Sequence, residues 1–299
     1  MTTYYVTPND DLQQLLNNVE PYSTVKLAEG VYRQKLEIDV PNLTIEGEGA
    51  ETTVIEYGDY AKKLDENGVE YNTFRTYTVA VCADGVTIRN LTIANSSGNS
   101  RENGQEVALT VYGDSFAMEN CRLVSEQDTL FCGPLPKDLI ERYDGFLKDK
   151  LRRDITSKQR YLNCTITGTV DFIFGCGDCL FDKCTIISLA DGRQGFVAAP
   201  AHALEQTVGM VFNECQFLSE GDVTESIFLA RPWRDYGKAS FVGCKYGKHI
   251  CSEGFDKWND TERDKTARFA EYGVDRAGRV AWSKQLSKKE VETLLEYFR

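Results

Sequence analysis

Histidine is nearly absent from this chain of 299 residues: His202 and His249 are the only two, and both are isolated. Serine-type catalysis needs a histidine beside its nucleophile, so a Ser-His-Asp triad has no natural place here. Basic residues are also short. Lys and Arg number 34 against 46 Asp and Glu, a formal net charge of −12. That balance argues against nucleic acid or an anionic membrane surface as a partner, because both reward clustered positive charge. No run of about 18 apolar residues offers a membrane span. Phosphate-binding glycine loops, HExxH and EF-hand patterns are missing as well, and no cofactor or metal is expected. A secretory leader would need a basic start and then an apolar stretch. Met1–Asp11 is polar instead, so the expectation is a cytoplasmic protein. With 41% apolar and 27% charged residues, ordinary globular usage, the chain reads as one folded domain over residues 1–299.

Cysteine, by contrast, is plentiful. Ten cysteines without a leader read as reduced thiols serving as small buried hydrophobes. Cys176-Gly-Asp-Cys179 is the one C-x-x-C pair, and no second pair with metal-site spacing follows it. Most of the others recur in a local pattern: an apolar residue three before, the Cys, and an apolar residue two after. The instances centre on Cys121, Cys164, Cys184, Cys215 and Cys244, with Leu91 and Leu43 taking the Cys place in Ile88–Ile93 and Val40–Ile45. Alternation after the Cys is that of a short half-buried strand, and the preceding polar residues, often Asn, suit a bend. Spacings of 20 residues and upwards, irregularly stretched, are what a solenoid with variable loops produces. A single coil cannot bury its inner face, whereas a column of coils builds a continuous core. Asn-Gly hairpin turns, which a β-sandwich would need, are scarce. The fold class expected is all-β, a parallel β-helix.

Open solenoid ends need covers. Asn9-Asp10-Asp11 followed by Leu12, Leu15 and Leu16 predicts an N-terminal capping helix, and Ser287-Lys-Lys-Glu290 is a capping box opening a final helix. Its stripe is Val291, Leu294, Leu295 and Phe298. Between residues 133 and 158 a charged stretch interrupts the repeat and reads as a partly helical insertion.

Carboxylates are then the remaining reactive groups. Gln127-Asp128-Thr-Leu-Phe131 and Val170-Asp171-Phe-Ile-Phe-Gly175 each place an acid inside an apolar strand. Such an acid is costly to desolvate, so it tends to be paired, outward-facing or functional. An Arg in Leu229-Ala-Arg231-Pro-Trp233 completes a candidate constellation.

Five segments taken in order make the chain resemble the pectin methylesterases, the aspartyl esterases of carbohydrate esterase family 8. They are Gly30-Val-Tyr32, Gln105-Glu-Val-Ala-Leu109, Gln127–Leu130, Asp171–Gly175 and Ala230-Arg-Pro-Trp233, with weaker echoes at Ala270–Tyr272 and Arg279–Trp282. The likeness thus runs over almost the whole chain, and the insertion together with Val197–Ala201 resembles bacterial members. The resemblance implies a right-handed parallel β-helix with no cofactor. It also implies hydrolysis of the C6 methyl esters of galacturonosyl units in pectin or methylated oligogalacturonides. Asp171 would be the nucleophile and Asp128 the acid and then the base. Gln127 and Gln105 would be donors to the oxyanion, and Arg231 the partner that keeps Asp171 ionised. Trp233, Phe174 and Val170 would meet the sugar, in a monomer that binds neither nucleic acid nor membrane. Departures from the family pattern are Gln34 for an acid, Glu106 for Ala and Ala230 for Gly; Glu106 is expected to put negative charge beside the site. An esterase or thioesterase acting on another ester, and a non-catalytic carbohydrate-binding β-helix, are the competing readings. Polygalacturonases and pectate lyases share the solenoid, but the Gly-His-Gly segment of the former is missing.

Overall fold

The structure, a computed structural model, describes residues 2–135, 137–142 and 155–299. Its strands stack into three sheets of 11, 8 and 7 strands, and strands of successive coils pair in parallel. One coil shows the rule: Phe116–Glu119 lies in the largest sheet, Arg122–Val124 in the 8-stranded sheet and Leu130–Cys132 in the 7-stranded sheet. Lys158–Leu162, Thr165–Gly168 and Val170–Gly175 then repeat the circuit one rung further on. This is the expected β-helix.

The bend between the first two faces is built where the sequence pattern places it. Asn90, Asn120, Asn163, Lys183, Glu214 and Gly243 all have φ between 52° and 59°, each immediately before Leu91 or a repeated cysteine. That left-handed conformation is cheapest for Gly and Asn. The asparagines also bond along the axis, Asn163 Nδ2 donating to Asn120 Oδ1 at 2.8 Å. All ten cysteines are free and buried. In the repeat they form a column, with the thiols of Cys121, Cys164, Cys184, Cys215 and Cys244 directed to backbone carbonyls. The apolar residues three positions earlier form a second column. Tyr161, Phe181, Phe212 and Phe241 stack at 4.7, 4.7 and 4.8 Å between ring centroids.

Leu43 does not belong to the cysteine column. Thr44 pairs with Thr87 in the largest sheet, whereas Leu91 leads into Thr92, which pairs with Arg122 in the 8-stranded one. Leu43 therefore stands over Val86, and its left-handed neighbour Asn42 aligns with Gly85 and Ser115 at another corner. Position 53 is the true counterpart of Leu91, since Val54 pairs with Thr92. Both corners use a left-handed polar residue followed by an alternating strand, so the local pattern does not distinguish them.

Both expected caps are present. Leu12–Leu16 is helical with Asp11 accepting from the Gln14 N–H, and Leu12 and Leu16 are buried. Gln34, the departure from the usual acid, accepts from the Leu12 N–H at 2.9 Å and so helps to cap the same helix. At the other end Lys288–Glu296 carries the Ser287/Glu290 capping box and buries Val291 and Leu294. Within the insertion, Lys137–Arg142 is helical; the expectation for residues 143–154 lies outside the described residues.

Candidate active site

The 7-stranded sheet gathers the candidate residues onto its outer face. Asp128 precedes the strand Leu130–Cys132, Asp171 lies within Val170–Gly175, and Arg231 directly follows Ile227–Ala230. Parallel stacking brings together acids that are 43 residues apart in the chain, the Asp128 N–H donating to the Val170 carbonyl at 3.1 Å. Both aspartates are left-handed, with φ of 63° and 49°, and the ladder between Val170–Gly175 and Gly195–Pro200 shifts register between Val170 and Ile173. Left-handed non-glycine residues cluster at functional sites, where the surrounding structure holds them. Here the twist turns two acid side chains out of a ladder that would otherwise alternate.

Asp171 is held by Arg231 in a two-point clamp, with Nε to Oδ1 at 2.8 Å and Nη2 to Oδ2 at 2.6 Å. The guanidinium lies between two aromatic faces, with its carbon 3.8 Å from the Phe196 ring centroid and 4.1 Å from that of Trp258. This sandwich leaves the Asp171 and Arg231 side chains only 12% and 14% exposed. A planar guanidinium suits both tasks, bidentate pairing and stacking. Phe196 and Trp258 carried no signal in the sequence reading, because their role depends on a coil and a loop meeting across Arg231.

Burial pushes both carboxyls up, but not equally. For Asp128 burial comes first and the neighbouring Asp171 charge adds to it, raising the group well above the usual carboxylate range. For Asp171 burial also raises, while hydrogen bonding and charge from Arg231 pull it back. The pair is thus split as acid–base work requires, with Asp128 the later of the two to lose its proton. Gln127 pulls the Asp128 carboxyl partly back down, and its Oε1 accepts from Arg193 Nη1 at 3.2 Å. Gln105 is half-buried next to this point, since the following residue's N–H donates to the Gln127 carbonyl at 3.0 Å.

Val170 is buried and pairs with Phe196. Phe174 is 3% exposed, packed among Phe131, Phe74 and Trp233, so its ring is mainly part of an outer aromatic cluster. Trp233 is half-buried, with its ring edge-on to Phe174 at 5.8 Å. Leu135 and Leu139 of the insertion pack into the same cluster, and Arg234 Nε pairs with Asp138 at 3.1 Å. The start of the insertion therefore walls the surface beside Trp233. A cavity of about 800 Å³ continues beyond it, lined in part by Leu135, Cys176, His202, Arg234 and Tyr236.

One expectation changes. Glu106 is 0% exposed and burial raises its carboxyl to about 7, so it does not present a charge on the open surface. The Cys176 and Cys179 thiols are buried and pushed upward, Cys179 directed at Gln159 and Cys176 at the Pro134 carbonyl. His202 is fully engaged, accepting from the Lys238 N–H at Nδ1 and directing Nε2 at the Gly177 carbonyl. No group of three or more metal-ligating side chains occurs among the described residues.

The pectinesterase family model matches residues 2–134 and 146–297. Pectinesterase QRT1 of Arabidopsis thaliana is 31% identical over 281 residues, covering 89% of this chain and 66% of that protein. The chain thus spans about two thirds of that relative. Among solved structures, pectin methylesterase PemA from Erwinia chrysanthemi has a TM-score of 0.81 at 22% identity, covering 100% of this chain and 96% of that one. A pectin methylesterase solved in complex with a hexasaccharide has the same TM-score and identity, over 100% and 97%. With nearly the whole chain matching the family and the β-helix shared, the chain belongs to the pectinesterase family.

Proposed function

We propose that the protein is an aspartyl esterase that removes methyl groups from the C6 esters of galacturonosyl units. The observation that carries this reading is the pair of buried aspartates, of which one is clamped by Arg231 and the other is pushed well above the usual carboxylate range by burial and its charged neighbour. An Asp171 oxygen attacks the ester carbonyl, and the oxyanion of the tetrahedral intermediate takes hydrogen bonds from the Gln127 and Gln105 amides. As the C–OCH3 bond breaks, Asp128 gives its proton to the departing methoxide, leaving methanol and an Asp171–acyl anhydride. Asp128, now a carboxylate, takes a proton from water as that water attacks the acyl carbon. The anhydride opens, releasing the free galacturonate carboxylate and restoring Asp171. Trp233 offers a half-exposed flat face to a sugar ring beside the acids, with the edge of Phe174 and Val170 beneath.

This assignment is supported by the family membership and by the oligosaccharide bound to a structural neighbour. Ten free cysteines suit a reducing compartment. We therefore extend the proposal to a cytoplasmic monomer acting on imported methylated oligogalacturonides in place of wall polymer. The test is methanol release from highly methylated pectin and from short methylated oligogalacturonides. Asp171→Asn and Asp128→Asn are each expected to lower kcat by about 10³-fold or more with the fold intact, because Asn tolerates the left-handed backbone that Asp occupies here. Turnover surviving in the Asp171 variant would sink the covalent mechanism. Faster release from oligomers than from polymer is the outcome expected of a cytoplasmic enzyme.

A further inference from the structure

Arg193 carries none of the family motifs, yet its guanidinium joins three coils. Nε donates to Asp191 Oδ2 at 2.6 Å, Nη2 to Ser100 Oγ at 2.9 Å and Nη1 to Gln127 Oε1 at 3.2 Å. Two further ties brace the junction. Arg101 Nη1 donates to the Asp191 carbonyl at 3.0 Å, and the Glu126 carboxylate accepts the N–H groups of Asn99 and Ser100 at 3.1 and 2.7 Å. The helical turn Ser100–Asn103, the chain entering Asp128, and the turn at 191–193 are thus one hydrogen-bonded unit.

A glutamine amide has an acceptor end and a donor end of nearly the same shape, so packing alone does not decide which way it points. A guanidinium has donors only. With Arg193 on one side, only the amide oxygen can face it, which leaves the NH2 group for the far side, where Gln127 pulls the Asp128 carboxyl downward. We propose that Arg193 is a positioning residue that fixes the Gln127 amide with its donor end toward the two acids, where the oxyanion develops. The inference rests on the esterase reading above. Asp191 balances the guanidinium's charge, and all three of its nitrogens are engaged within the protein. That engagement argues against a direct grip on a substrate carboxylate.

A double-mutant cycle decides the matter. kcat and KM for methanol release are measured for wild type, Arg193→Met, Gln127→Ala and the combined variant, with a thermal melt for each. Arg193→Met is expected to lower kcat about tenfold with KM within about twofold, short of the 10²–10³ that loss of an oxyanion donor typically brings. In the Gln127→Ala background the same substitution is expected to change kcat by less than about twofold. Ser100→Ala removes one anchor of the guanidinium and little packing. It is expected to lower kcat by two- to threefold, again only while Gln127 is present, and it serves if the Arg193 variant fails to fold. A loss in kcat that persists undiminished without Gln127, a rise in KM with kcat intact, or no effect at all would overturn the positioning role while leaving the esterase reading standing. No methanol from the wild-type protein would overturn both.

Discussion

At the scale of single residues, the site is a problem of charges removed from water. Arg231 is the one group that lowers Asp171 against its burial, so Arg231→Met removes the influence that favours the ionised nucleophile. Its loss should raise the Asp171 pKa, and the acid limb of kcat/KM should move to higher pH, read from a pH profile of methanol release. A profile unmoved on the acid side would show that Asp171 does not need the clamp. Glu106 gives a second, opposite case, since it is buried and off the machinery. Burial, with Glu126 nearby, lifts it from 4.5 to about 7, while Asn103 and Ser97 pull weakly the other way. The folded protein therefore holds this proton where the unfolded chain has released it, and stability falls as pH rises from 4.5 to 7. The total is about 3 kcal/mol. Glu106→Gln should flatten that slope, so melts at pH 5 and pH 8 should differ less in the variant than in the wild type.

Among the elements, the bends between the first and second faces are where sequence and geometry disagree most usefully. Asn90, Asn120 and Asn163 suit their left-handed backbone, but Lys183 and Glu214 occupy the same conformation at φ of 53° and 52°. Neither has a side chain that stabilises it there. Lys183→Asn should raise stability by about 1 kcal/mol, and its amide would stand next to Asn163 in the existing ladder. A denaturant midpoint that does not rise would mean that the ladder adds nothing at this rung. The same elements carry a local signal that marks a bend without marking which corner it is. The polar bend followed by alternating apolar residues is legible at Cys121, Cys164, Cys184, Cys215 and Cys244. It is equally legible at Leu43, which stands at another corner. A bend signal reports a backbone turn; which turn of the coil it makes depends on the strand lying beneath it.

For the whole molecule, the columns inside the helix and the acids outside it are independent. Phe212 lies in the middle of the stack between Phe181 and Phe241, fully buried, while Asp128 and Asp171 sit on the outer face of the 7-stranded sheet. Phe212→Ala should destabilise by about 3–5 kcal/mol, read by denaturant unfolding. Well below the melt, methanol release should remain within a few-fold of wild type. A selective loss of turnover in the folded variant would mean that the columns set the spacing of the acids.

By itself the sequence determined the solenoid, both capping helices, the buried reduced cysteines and the order of the acid and arginine segments. Each of these is written in neighbouring residues as periodicity, capping chemistry or a short motif. Tertiary structure alone decided which coil lies over which. That stacking put Phe196 and Trp258 on either face of Arg231, buried Glu106, and set Arg193 against Gln127. The physical reason is that such contacts form along the helix axis between residues tens of positions apart. Loops of unequal length separate them, so no local pattern records their register.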